Sequence, residues 1–331
     1  MFAKAVVFTA PNKVEYKSVK CPEPGAGDVV VRVTHSWISN GTEGSYLRGE
    51  RIAGDTPYRR GDPWPFPIIA GYQKIGVVEW VGSEIDDLVV GETVFAAFGF
   101  VEEMFDQYAG QISPSVCPRN MIWKLPPGVD PLAYAGLVLT QVGYNTGSRG
   151  CIQLGEGAVV VGDGLVGHWT AQTLAWRGAE VVLVGRHRDR LAKFNPGPMR
   201  HTVNANDGDW VKTVREILPL GAQITVDTVG STQIVEQLFN LSKREGHLVS
   251  AGFYGSEDLV ALQPLRYREL SIELVSGWIK RRMDETIRMI AAGHLKTLPL
   301  ITHRFPVAQA VDAWQLIESK REPVLGVILD W

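Results

Sequence analysis

The chain has 331 residues, 45% of them apolar and 21% charged, and 33 Lys and Arg against 36 Asp and Glu leave a net charge of −3. Such a length predicts about two domains with a large core, the composition excludes a disordered polymer, and the charge gives no reason to expect nucleic acid as a partner. Cys21, Cys117 and Cys151 are far apart and odd in number, so neither a zinc knuckle nor a disulfide framework is expected, and a reduced, cytoplasmic setting is. The start, "MFAKAVVFTAPNKVEY", alternates like a strand rather than a signal core, and no run approaches the roughly 18 apolar residues of a membrane span.

From Val6 to about Val101 the pattern is short strands punctuated by Gly and Pro, as in "DVVVRVTHSW", "YQKIGVVEWVG" and "GETVFAAFGF", which predicts a partly closed β unit. Within it, "SWISNGTEGSYLRG" is either a polar surface loop or the floor of a site. The proline-rich stretch from Gly49 to Pro67 is expected to be an irregular lid or interface. A helix is predicted from Asp130 or Pro131 through "LAYAGLVLTQVGYNTG", and strand and helix alternate from there. "AQITVDTVG", "GHLVSAGFYG" and "ELSIELVSGW" read as later strands, with helices from about Gln233 and Met283. The tail "VAQAVDAWQLIESKREPVLGVILDW" reads as an amphipathic helix and then a strand that needs a sheet. If that sheet is the first domain's, the alternating unit is inserted rather than appended.

Gly162, Gly164 and Gly167 form a G-x-G-x-x-G between the apolar strand Ala158 to Val161 and a helix. The first glycine makes the turn, the second lets backbone approach a pyrophosphate, and the third brings helix against strand. The anion would then sit on helix-start N–H groups, those of Leu165 and Val166 included. At the end of the following strand an NAD-selective site carries Asp or Glu. Here "VVLVGRHRDRL" supplies Arg186, His187, Arg188 and Arg190, with no acid before Asp189. Arginines match a 2′-phosphate, so NADP(H) is favoured with NAD(H) as the alternative; the competing reading is a solvated helix start. Asp163, inside the turn, looks like an unfavourable charge. Thr140, Thr228 and the backbone at Gly252, in "SAGFYGS", are further cofactor-contact candidates.

The whole layout resembles the medium-chain dehydrogenase/reductase superfamily, through "ISNGTE", "GYQKIGVVEWVGSEIDDLVVGETVFA", "KLPPGVDPLAYAG", the glycine turn and the closing segment. The resemblance implies an α/β protein with a GroES-like β-barrel catalytic domain, residues 1–125 and 295–331, and a Rossmann domain, residues 126–294. In the family's zinc enzymes "ISNGTE" would hold Cys-Gly-Thr-Asp and "GYQ" would be Gly-His-Glu. By that resemblance Asn40 or Ser39 takes the ligand cysteine's place, Thr42 that of the relay hydroxyl, Glu43 that of the acid, Tyr72 that of the histidine and Gln73 that of its acidic partner. A tyrosine and amides do not make a zinc site, and Cys117 alone cannot make the family's four-cysteine lobe, so no metal is expected. The chain resembles a zinc-free branch, nearest the subgroup that includes bacteriochlorophyllide dehydrogenase, with likeness also to quinone oxidoreductases.

Hydride transfer needs donor and acceptor carbons within about 3.5 Å, and without metal the side chains must manage the oxygen's charge. Tyr72, Thr42 and Ser39 are the donors expected for a secondary alcohol or ketone, such as a polyol, a sugar or a cyclic compound. Tyr72 is the preferred acid, with Lys74 or Arg48 as cations to lower its pKa. Asn40 and Gln73 complete a polar floor, and Glu43 is a candidate to relay the proton to bulk water, with a structural acid bridged to an arginine as the favoured reading of it. The alternative is a quinone or enoyl reductase acting on C=C. An apolar run at Leu270 to Trp278 reads as an edge strand that pairs with its twin in a homodimer.

Overall fold

The computed structural model describes residues 1–54, 56–254 and 260–331. They form two compact units, Met1–Val138 with Thr297–Trp331, and Leu139–Lys296. The first is built on mixed and antiparallel sheets of the GroES-like type and the second on an all-parallel Rossmann sheet, so the expected fold class is the one adopted.

In the first unit the valine-rich run Asp28–Ile38 is the longest strand. It lies inside a sheet ordered Ile122–Lys124, Thr93–Ala96, Lys74–Val81, Asp28–Ile38, Gly326–Asp330 and Ile301–Pro306, and Ser115–Pro118 also pairs with it. Val29, Val31, Trp37 and Ile38 are fully buried, as a strand covered on both faces requires. The strand Gly326–Asp330 joins it antiparallel, with Leu329 opposite Ser36. The tail therefore completes the first unit's sheet.

Two features fix the segments that pass beside this sheet. Lys74 opens its strand with a buried ammonium that donates to the carbonyls of Ala97, Ala109 and Gly110 at 3.0, 3.1 and 3.0 Å. Burial pushes its pKa down to about 8, while three acceptors satisfy all three ammonium protons. At Gly110 a Cβ would lie 2.0 Å from the Gly71 carbonyl carbon. The segments carrying Tyr72 and Gln111 can run side by side because Gly110 has no Cβ, and Gly71, at φ +94°, makes the bend that brings them together.

In the second unit the strands lie in the order Arg200–Asn204, Glu180–Gly185, Gly157–Val161, Ala222–Asp227, Ser242–Ser250 and Ser271–Leu274, all parallel. The strand order reverses beside Gly157–Val161, and open sheets of this kind bind ligands at the carboxyl ends of such strands. Every residue of "GAVVV" is buried, as expected of a strand with helices on both faces.

Some elements differ from the sequence reading. The helix expected to run unbroken from Asp130 or Pro131 is two pieces, a 3-10 turn Pro131–Tyr134, capped by the Asp130 carboxylate on the Leu132 N–H at 2.9 Å, and an α-helix Leu137–Gly147. Between them a Cβ at Gly136 would meet the Trp37 ring at 3.0 Å, a close passage that periodicity alone does not reveal. The helix expected from Met283 begins at Lys280. The Gly49–Pro67 stretch contains a small ladder of Arg51–Ala53 with Thr56–Pro57.

Candidate active site and dinucleotide cradle

The polar site of the first unit is built around the helix Asn40–Leu47. Ser39 is its N-cap and makes no side-chain cap bond, so its hydroxyl faces other partners. Tyr72 donates its hydroxyl proton to Ser39 Oγ at 2.7 Å. Thr42 is also hydrogen-bonded to the Tyr72 hydroxyl. Three of the residues singled out in the sequence therefore form one hydroxyl cluster, contributed by a helix start and the Gly71 bend.

Glu43 lies beneath it, fully buried. Its Oε1 accepts the Ser39 N–H at 2.8 Å, and Gln111 Nε2 donates to its two oxygens at 3.4 and 3.2 Å. The expected arginine bridge is replaced by these neutral donors. Desolvation outweighs them and raises the carboxyl to about 7. Tyr72 is likewise raised to about 12, first by desolvation, with the Glu43 charge adding to it and Ser39, Thr42 and Arg51 opposing. Lys74 and Arg48 do not serve as the cations expected to activate Tyr72. Lys74 is committed to its three carbonyls, and Arg48 bonds Glu50 at 2.7 Å and Glu318 at 3.0 Å.

Asn40 and Gln73 point elsewhere. Asn40 Nδ2 donates to the Leu325 carbonyl at 2.9 Å, tying the helix start to the segment before the last strand, and Gln73 Nε2 donates to that of Trp37 at 3.1 Å, tying loop to sheet. Gln111, which completes the Glu43 environment, carries no signal in the sequence, where it stands 68 positions from its partner. Among the described residues no three His, Cys, Asp or Glu side chains converge on a point that could hold a metal ion.

In the second unit the glycine turn shows what two of its glycines are needed for. Gly162 has φ +122°, and a Cβ on Gly167 would stand 1.8 Å from the Gly162 carbonyl oxygen. A Cβ on Gly164, by contrast, would meet nothing within 4 Å. Gly164 is the N-cap of the helix Leu165–Trp176 and offers no side-chain cap. The first-turn N–H groups of Leu165, Val166 and Gly167 have no helix carbonyl to bond. Open space in front of uncapped helix-start donors fits a pyrophosphate.

Asp163 is no stray charge. Its buried carboxylate accepts the N–H groups of Arg186 and His187, both at 2.8 Å, and meets His187 Nδ1 at 3.0 Å and Arg190 Nη1 at 3.4 Å. Its pKa is lowered: burial opposes the charge, and the His187 N–H and imidazole outweigh it with help from the Arg186 N–H. The carboxylate fills the space over Gly185, where a Cβ would come within 2.4 Å of it. Arg190 is thus occupied and Arg188 pairs with Asp207 at 2.7 Å, whereas Arg186 is exposed. Thr228 Oγ1 donates to the Val161 carbonyl at 2.9 Å in this turn. Thr140 is buried in its helix. Gly252 packs on Gly230, whose nitrogen would lie 2.0 Å from an added Cβ, and Gly255 and Ser256 of "SAGFYGS" lie outside the described residues.

The profile of the Zinc-binding dehydrogenase family matches residues 166–292. Over its whole length the chain is 25% identical to 2-desacetyl-2-hydroxyethyl bacteriochlorophyllide A dehydrogenase of Cereibacter sphaeroides, covering 100% of this chain and 99% of that one. Two solved structures share the fold: a protein of Escherichia coli CFT073 described as a short chain alcohol dehydrogenase complexed with NADH, with a TM-score of 0.85, 21% identity and coverage of 100% and 99%, and a zinc-binding dehydrogenase of Sinorhizobium meliloti 1021 bound to NADP, with a TM-score of 0.84, 20% identity and full coverage of both chains.

The Glu43 environment predicts a signed pH effect. An acid whose folded pKa of about 7 lies above its ordinary 4.5 stabilises the fold most below the lower value and loses that contribution as pH rises to the upper one. Urea unfolding should therefore show the stability of the wild type relative to Glu43→Gln falling as pH rises through this window. A difference that does not vary with pH contradicts the assignment.

Proposed function

We propose that this chain is a medium-chain dehydrogenase/reductase that works without zinc, transferring hydride between NADP(H) and a secondary alcohol or ketone. The observation that carries the reading is the Ser39, Thr42 and Tyr72 hydroxyl cluster over a buried carboxylate, in a chain that also holds an intact dinucleotide turn. Hydroxyls and amides of this kind handle protons and developing oxyanions but do not hold zinc.

The bound dinucleotide supplies the hydride. Gly164, Leu165, Val166 and Gly167 would hold its pyrophosphate, and Arg186 with His187 its 2′-phosphate. Proton handling falls to the first unit. Because the Tyr72 proton is directed to Ser39 Oγ, Ser39 has its own proton to offer a substrate oxygen, with Thr42 beside it. As negative charge develops on that oxygen, Ser39 gives up its proton and takes that of Tyr72, and the phenolate so formed regains a proton from water once product leaves. Tyr72 is then the second donor in a relay and not the group that meets substrate. A phenol raised to about 12 stays protonated at neutral pH, which keeps the relay loaded.

Cofactor preference is testable through the arginines. Arg186→Ala should weaken NADP(H) binding about 10- to 100-fold and leave NAD(H) nearly unchanged, whereas Arg188→Ala, whose guanidinium is engaged by Asp207, should cost less. Fluorescence titration of both dinucleotides decides it. Equal wild-type affinity for the two removes the case for a 2′-phosphate site.

We also propose a homodimer formed through Ser271–Leu274. It is the edge strand of the parallel sheet, and Ile272 and Leu274 are 43% and 77% exposed. An apolar edge of this sort is satisfied by pairing with a second copy. Light scattering at micromolar concentration should give twice the chain mass; a monomer there refutes the pairing.

A further inference from the structure

Behind Glu43 runs a chain of hydrogen bonds that the proton relay of Ser39 and Tyr72 does not use. Trp331 Nε1 donates to Ser36 Oγ at 2.8 Å, Ser36 Oγ donates to Gln111 Oε1 at 2.5 Å, and Gln111 Nε2 donates to Glu43. Ser36, Gln111 and Glu43 are buried, with exposures of 0, 2 and 0%.

The direction of this chain is set by its first member. An indole N–H can only donate, so it takes a lone pair of Ser36. The Ser36 proton then needs an acceptor, and Gln111 Oε1 is the one within reach. With its carbonyl end so engaged, the Gln111 amide presents its NH2 end to Glu43. The reverse orientation would aim two donors at Ser36 Oγ, leave a buried hydroxyl proton unpaired and turn a carbonyl oxygen toward the carboxylate. A buried unpaired group of this kind is costly enough to select one orientation.

We propose that Trp331, Ser36 and Gln111 are positioning residues that favour the carboxylate form of Glu43, against its desolvation, beneath the Ser39, Thr42 and Tyr72 hydroxyls. A carboxylate only accepts, whereas a carboxylic acid must also donate, and the fixed amide offers it hydrogen and no lone pair. The charge so retained adds to the desolvation that already keeps Tyr72 protonated. The role in catalysis rests on the proposed function; the orientation of the chain does not.

Other charged and titratable groups around Glu43 are engaged. Tyr72 bonds Ser39 and Thr42. Arg51 bonds Ser45 at 2.5 Å and the Gly54 carbonyl at 3.0 Å. Arg48 and Glu318 pair over Gly44, and Lys74 holds the Ala109 and Gly110 carbonyls next to Gln111.

The test is carbon NMR of protein labelled at the glutamate side-chain carboxyls, with the Glu43 signal identified by its loss in Glu43→Gln. Ser36→Ala should raise the Glu43 midpoint by about one pH unit, a tenfold change in its ionisation constant. Trp331→Phe, which keeps a ring against Tyr16, should shift it in the same direction by less. The double variant should move no further than Ser36→Ala alone, because both act through one path. A midpoint unmoved by Ser36→Ala, or shifts in the double variant that simply add, overturns the proposal. If the midpoints move as expected while no carbonyl compound is reduced by wild type with either dinucleotide, the functional reading fails and the positioning chain stands.

Discussion

A carboxylate buried among neutral donors, Glu43, is the constraint around which the polar interior of the first unit is arranged. Removing a charge from water is costly unless donors replace the solvent. The chain supplies them from the Ser39 N–H at a helix start and from Gln111 on a neighbouring segment. Both contacts depend on backbone placement. Lys74 holds the Ala109 and Gly110 carbonyls, and the missing Cβ at Gly110 and the bend at Gly71 let the two segments touch. A single buried acid thus links sheet packing, loop approach and the ordering of hydroxyls at the surface of the site.

The second unit solves a different problem, that of leaving donors unpaired on purpose. The helix start at Gly164 lacks a side-chain cap, and open space stands in front of it. Asp163 makes this turn rigid by reaching across to the end of the next strand, where it fastens the Arg186 and His187 N–H groups. The same carboxylate occupies His187 and Arg190, and Asp207 takes Arg188, while the Arg186 side chain stands exposed. Charge at the end of the second strand is therefore a balance between one acid inside the turn and several bases beyond it.

How much of the structure is legible in the sequence depends on the range of the forces involved. The parallel strands and the glycine turn are written in contiguous residues, because burial on both faces and steric contact at fixed spacing act locally. The Ser39, Thr42 and Tyr72 grouping is reachable through the family resemblance. Gln111 is not, since its importance comes from a partner 68 residues away. Asp163 looks unfavourable in the sequence for the same reason, its compensating donors lying 23 and 24 residues on. Lys74 reads there as a cation for a phenol, because sequence adjacency to Tyr72 says nothing of which carbonyls enclose its ammonium. The helix broken at Gly136 reflects a passage against Trp37, which no helical period records.

Hydride transfer to a carbonyl carbon without metal is tested most directly with NADPH deuterated at C4, a panel of cyclic and open-chain ketones and enones, and chelator-treated protein whose zinc content is determined by elemental analysis. Deuterium is expected on the carbinol carbon of an alcohol product, formed by protein holding far less than one zinc per chain. Deuterium delivered instead to the β-carbon of an enone, or transfer that appears only when zinc is restored, is the opposite result and rules the mechanism out.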